Sequence, residues 1–260
     1  MNDANHPNDA RARQASALGR YAPIALRDYA SNQGAATVIV ILLIGFLSTM
    51  PLFRGLGGAP VRLRQVPLAT ATSILLAILP QLVLFGTIFA TNGIVANDRK
   101  HGYFRFLFAK PISPTLYYAM TFIVHGIGLV IATLALMGIW AATVRPMFTP
   151  ALVAVVAIMY VAYGGIGLLC SAAFRFDWVS LVAVLLVANV AWALGGNGSG
   201  PLHWLLYALP PVHRTSDLYM MVAGEGRSIP WQSIGWLAGY GVACFLLAMV
   251  VIRRRPLGVA

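Results

Sequence analysis

Few side chains in this sequence are placed to do chemistry away from water. Gln81, His125 and Asn189 are polar residues inside long apolar stretches, with His125 about midway along its own. An ionisable group at such depth marks a functional position by default, so the three stand as candidate residues of a translocation path. A simpler account competes. A neutral imidazole donates to a neighbouring helix, and the two amides make interhelical hydrogen bonds. No acid lies within these stretches to pair with His125, because the seven carboxylates (Asp3, Asp9, Asp28, Asp98, Asp177, Asp217 and Glu225) all fall outside them.

Signatures of an enzyme are missing. The segment "NGSGP" has Asn197 where a nucleophile elbow needs its first glycine. The five histidines are scattered, with no H-E-x-x-H or other zinc spacing. Met220, Met221, His203 and His213 offer soft donors, although methionine in a greasy segment usually packs. The only lysines are Lys100, followed by His101, and Lys110, followed by Pro111, so no G-x-x-x-x-G-K-[ST] phosphate loop exists. The expectation is a chain without catalytic, cofactor or metal residues of its own.

The elements that must hold these residues are set by composition. Across 260 residues, 59% are hydrophobic and only 10% charged, a balance far from that of soluble domains. Six stretches approach or exceed the roughly 20 helical residues needed to cross a hydrocarbon core: 35–53, 68–95, 115–140, 150–174, 178–195 and 231–252. None carries Lys, Arg or Glu in its interior, where a central Arg or Lys would cost about 2.5–3.5 kcal/mol on insertion scales. They lack the strict alternation of barrel strands. The fold class expected is therefore an all-α integral membrane protein of six spans, occupying residues 35–252, with a Pro80-Gln81 break in the second.

Charge gives an orientation. With six spans both ends share a side, and twelve of the eighteen basic residues, including Arg11, Arg27, Arg99, Lys100 and Arg253 to Arg255, fall on it. The positive-inside rule places both termini in the cytoplasm, although Arg54, Arg62 and Arg64 in the first outer loop argue weakly the other way. A net charge of +11 then reads as loops facing anionic lipid, not as nucleic-acid binding. Residues 1–34 are expected as a tail followed by either an amphipathic interface helix over Leu18 to Gly34 or an ordinary linker. Residues 253–260 form a basic tail. Cys170 and Cys244 both fall in spans and read as inert packing. The spacings Gly235/Gly239 and Gly164/Gly165/Gly167 permit close helix approach.

Two loops stand apart. The outer loop 196–230 opens on the glycine-rich "GGNGSGP" and contains "LHWLLYAL" and "TSDLYMMVAG", split by Pro210-Pro211. These pieces are too short to span and too apolar for free solution, as half-helices dipping into the membrane would be. Trp204, Tyr207, Pro210 and Pro211 mark this re-entrant element. The inner loop 97–114, "NDRKHGYFRFLFAKPISP", crowds charge among aromatics. Tyr103, Phe106, Leu107 and Lys110 at helical spacing form an apolar ridge suited to a partner's groove. The residues alone fit equally well a basic loop resting on lipid.

The sequence of that loop resembles the inner loop of permeases of the type 2 ABC exporter superfamily, whose pattern is approximately E-R-E-x-G-T-L-x-x-L-L-x-x-P. Asp98, Arg99, Gly102, Phe106, Leu107 and Pro111 match, while Lys100 replaces the second acid and Tyr103-Phe104 the Thr-Leu pair. Six spans, an N-terminal interface helix and the "L-P-P" outer loop extend the resemblance over nearly the whole chain. It implies that Asp98, Arg99, Gly102, Tyr103, Phe106, Leu107, Lys110 and Pro111 form a coupling helix touching an ABC-type ATPase. That separate chain would hold ATP and magnesium. It also implies a second permease copy, identical or related, and export across a bacterial inner membrane. An ion-coupled carrier or channel is the first alternative, and a membrane-embedded enzyme or assembly factor the second.

Overall fold

A computed structural model of the chain describes residues 68–91, 94, 95, 98, 113–143, 150–174, 177–196, 206–222 and 229–254, with positions 23, 26, 27, 29, 30, 39, 43 and 45. The described residues are all-helical. They form α1 (Leu68–Thr91), α2 (Pro114–Thr143), α3 (Pro150–Ala173), α4 (Asp177–Gly195), α5 (Thr215–Val222) and α6 (Trp231–Arg254), with a 3-10 turn at Val212–Arg214 before α5. Four helices, α1, α2, α3 and α6, are long and apolar enough to cross a membrane, consistent with an integral membrane protein. The apolar part of α4, Val179–Gly195, is shorter. Of the stretch expected as the first span, only Ile39, Leu43 and Gly45 are described, each helical.

Helix ends follow local chemistry. Ser113 precedes Pro114, and its carbonyl accepts the first bond of α2 from the Tyr117 amide at 3.1 Å. Proline suits the first helical position because its missing N–H would be unpaired there anyway. Likewise Pro230 precedes α6 and receives the Ile234 amide at 3.0 Å. At its other end α6 closes on exposed Arg253 and Arg254, cations that complement the helix dipole and suit an aqueous boundary. The break expected at Pro80-Gln81 does not occur. Pro80 lies inside an unbroken 24-residue α1, as apolar helices allow when neighbours and local adjustments absorb the one lost hydrogen bond.

The helix α3 is the hub, touching α1, α2, α4, α5 and α6. Its most extensive partner is α6, and the reason is glycine. A side chain at Gly165 would overlap the Gly241 carbonyl, and one at Gly241 would overlap the backbone of Val161 and Ala162. Two backbones in contact put the weight of this interface on van der Waals packing, the term that survives when lipid is the solvent. By contrast no described residue lies within 4 Å of a side chain built at Gly235 or Gly239, so that spacing carries no contact among the described residues.

Outward faces are as apolar as the core. On α2, Ile123, Ile127, Ile131 and Leu134 are exposed in helical register, and on α4 so are Val182, Leu186, Val190 and Leu194. Contiguous apolar faces of this kind are foreign to soluble monomers. Hydrocarbon, not water, is their natural surrounding.

Candidate functional site

Polar groups gather where α1, α2 and α3 meet. The α1 face carrying Thr87, Ala90 and Thr91 lies here, with Val95 and Asp98 beyond the end of the helix. Opposite it on α2 lie Tyr118, Thr121 and His125, at spacings of three and four that keep them on one side. Most of the polar groups there are paired. Thr91 Oγ1 donates to the Thr87 carbonyl at 2.8 Å, and Thr121 Oγ1 to the Tyr117 carbonyl at 3.0 Å. Beyond the end of α1, the Val95 amide donates to Ser171 Oγ on α3 at 3.2 Å. The buried Tyr118 hydroxyl donates to Asp98 Oδ2 at 3.1 Å. Asp98 is helical and half-buried, so the first residue of the expected coupling element is fastened to α2. Arg99, Gly102, Tyr103, Phe106, Leu107, Lys110 and Pro111 lie outside the described residues.

His125 is 2% exposed. Its imidazole hydrogen-bonds the backbone of Ala90 on α1, the simpler of the two readings open from sequence. It is the twelfth residue of a 30-residue helix and stands seven residues, about 10 Å, from the Tyr118–Asp98 bond. It therefore lies closer to the middle of α2 than to the Asp98 end. Two tyrosines flank it. Tyr29 lies with its ring centroid 4.9 Å from the imidazole and rests on Gly128. Tyr160 packs on Gly126 and donates from its hydroxyl to the Phe122 carbonyl at 2.6 Å.

The other two path candidates are not brought to His125. Gln81 is exposed on α1, in register with exposed Ser73, Ala77 and Phe85. Asn189 is exposed on α4 and donates from Nδ2 to the Leu185 carbonyl of its own helix at 3.2 Å. Among the described residues, neither makes the interhelical bond expected of it. Rotation of each helix about its axis decides this, and a helix apolar on all sides carries no amphipathic signal of that rotation.

At the opposite end of α3 and α6, residues 206–222 fold back onto the bundle. Tyr240 sits nine residues, about 13 Å, into α6, and its hydroxyl donates to the Ala208 carbonyl at 2.9 Å. Tyr163, thirteen residues into α3, hydrogen-bonds through its hydroxyl to Tyr219 and Thr215 of α5. Ser233 Oγ donates to Asp217 Oδ2 at 2.7 Å. Pro210 and Pro211 are buried, while Tyr207 is 39% exposed. Tyr207 links Trp236 and Trp192 in edge-to-face contacts of 5.8 Å each, and Trp192 stacks on His213 at 3.8 Å. Trp204 lies outside the described residues.

No family model matches the chain, and no curated protein matches it. The argument for function therefore rests on residues. Tyr118, Ser171, Thr87, Tyr29 and Tyr163 all escaped sequence reasoning. The one readable signal was the spacing of Tyr118, Thr121 and His125, which draws a polar line along an otherwise apolar helix. Of the N-terminal segment, Pro23, Leu26 and Arg27 are helical and exposed, whereas Tyr29 is buried.

Proposed function

We propose that the chain is the permease subunit of an ATP-driven, ABC-type export system. In this reading it works as a dimer whose halves enclose the path, moved by a separate ATPase. The observation that carries the reading is the outward position of Gln81. A side-chain amide facing hydrocarbon loses its hydrogen bonds to water without replacement, at a cost of about 4–8 kcal/mol on alkane transfer scales. A water-lined path or a second copy removes that cost. Asn189, also outward on α4, meets part of that demand at the Leu185 carbonyl and carries the rest. One protomer therefore reads as half of an assembly, with Gln81 and Asn189 on the side that the other half completes.

The remaining parts fit this reading. Residues 97–114 act as the coupling helix, and the Tyr118–Asp98 bond joins them to α2. ATP-driven closure of the partner can shift the permease only if the partner grips one permease state more tightly than the other. A loop tied to its span, and not hung on a slack linker, turns that difference into helix movement. Residues 206–222, bonded to Tyr163 and Tyr240 well inside α3 and α6, serve as the re-entrant outer cap. Irregular backbone at membrane depth is tolerated only where protein or water covers it, and the buried Pro210-Pro211 pair meets that condition. The remaining apolar stretch, 35–53, supplies the first of six spans, and both termini face the cytoplasm of a bacterial cell.

The test is purification in mild detergent from native membranes, with mass spectrometry of what remains bound. A P-loop ATPase is expected in equal amount. Arg99→Glu and Gly102→Pro should leave the permease inserted and lower the bound ATPase about tenfold or more, since each tenfold corresponds to only 1.4 kcal/mol of interface energy. A chain that emerges alone, even after crosslinking, removes the permease reading in favour of an ion-coupled carrier. His125 then becomes the residue to examine.

A further inference from the structure

Two buried polar atoms at the α1–α2 junction have no hydrogen-bond partner among the described residues: Nδ1 of His125 and Oγ1 of Thr87. Both side chains are closed off, at 2% and 0% exposure. Ala90, whose backbone bonds the imidazole, is three residues along α1 from Thr87, which brings both groups to the same junction of helices. Interior polar groups are normally paired, and native structures meet leftover demands of this kind with an enclosed water molecule.

We propose that Thr87 and His125 hold a buried water molecule, sealed beneath Tyr29, and that this hydrated joint fastens the N-terminal segment to the two helices flanking the inner loop. A water needs two to four polar partners. The Thr87 hydroxyl and the imidazole Nδ1 supply two of opposite character, one able to donate and the other to accept. Tyr29 is the lid. Its ring lies 4.9 Å from the imidazole and occupies the space that a side chain at position 128 would need, which only glycine leaves open. The two neighbouring glycines of α2 have separate tenants, since Gly126 receives Tyr160. Tyr118, which holds Asp98, lies seven residues before His125 on the same side of α2, so Tyr29 and Asp98 are both anchored to one face of that helix. The inference does not depend on the export reading. A carrier with this fold would contain the same joint.

The sign of one substitution decides it. Thr87→Val keeps the shape and deletes the hydroxyl. If the hydroxyl holds a water shared with His125, thermal unfolding of the purified protein in detergent should fall by about 2–4 °C. The loss should shrink towards zero in a His125→Phe background, where the water has already lost its second partner. A hydroxyl bonded to nothing predicts the reverse, because removing it relieves a buried cost. An unchanged or raised melting temperature for Thr87→Val would overturn the joint. The lid is tested separately with limited trypsin cleavage after the exposed Arg27. Gly128→Ala must push the Tyr29 ring away and should speed this cut several-fold, with His125→Phe, which keeps a flat ring against Tyr29, much less affected. Equal cleavage in wild type and Gly128→Ala would show that Tyr29 is no lid.

Discussion

The two ends of the bundle are fastened in different ways. At the Asp98 end, the ties are buried or half-buried and join the long helices to one another or to the residues just past α1: Tyr118 to Asp98, Val95 to Ser171, and His125 to Ala90. At the 206–222 end, a separate short segment is pinned through Asp217, Ala208 and Tyr219 with Leu218 and Val222 buried, while its Tyr207 and the facing Trp236 of α6 remain 39% and 40% exposed. In the export reading, the first arrangement would couple α1, α2 and α3 to the inner loop, while the second, whose ties run through one short segment, would be the end that opens. Between the ends lies the Gly165–Gly241 crossing, common to both.

The largest effect is expected at that crossing. Gly241→Val would drive a branched side chain into the Val161 carbonyl and the Ala162 backbone, and neither can step aside without unwinding α3. Both ends should fail together, seen as loss of monodisperse protein in detergent. If Gly241→Val instead purified normally with only one end loosened, as judged by protease cleavage on each side, the idea of a shared rigid crossing would be wrong.

Tyr118→Phe separates the ends. It removes a bond to a carboxylate, worth about 1.5–3 kcal/mol for charged partners; the lower end applies because Asp98 is only half-buried and water can replace part of the loss. The melting temperature should drop by a few degrees. Bound ATPase, in the export reading, should fall further than that modest destabilisation alone explains. Contacts around Tyr219 and Tyr240 should be untouched. Loss of stability with full ATPase retention would sever the link drawn between Asp98 and coupling.

How much of this was legible beforehand depends on which variable is asked about. Segment positions were readable, because hydropathy alone marks where an apolar helix begins and ends. The expected 150–174 and 178–195 differ from α3 and α4 by single residues. The end of α1 was overshot, at Val95 instead of Thr91, since Ile94 and Val95 are apolar and buried although they form a turn. Helix rotation was not readable. Gln81 and His125 look alike in sequence, one polar residue in each apolar run, yet the first faces outward and the second inward. Tyr29 was invisible for another reason. Its socket is Gly128, about a hundred positions away, and glycine is too common in apolar helices to announce a tenant.

The smallest effect sharpens the contrast from the far end. Partial burial against its neighbours, and then the positive charge of Arg214, hold the pKa of His213 below the ordinary histidine value, with Asp217 opposing. A folded-state pKa below the unfolded one means that the unfolded state binds more protons between the two values. Stability from this group is therefore complete above about pH 6.5, the unperturbed value, and is lost as pH falls below it. His213 is exposed, so solvent screening keeps the effect small. Acidification from pH 7.5 to 5.5 should slightly loosen residues 206–222, read as faster amide exchange around Tyr207 and Thr215. The Tyr118–Asp98 end should not change. His213→Gln should abolish the pH response of the segment without altering its exchange at pH 7.5. An acid response that persists in His213→Gln would transfer it to another group, and with it the claim that this end alone is held by a titratable stack.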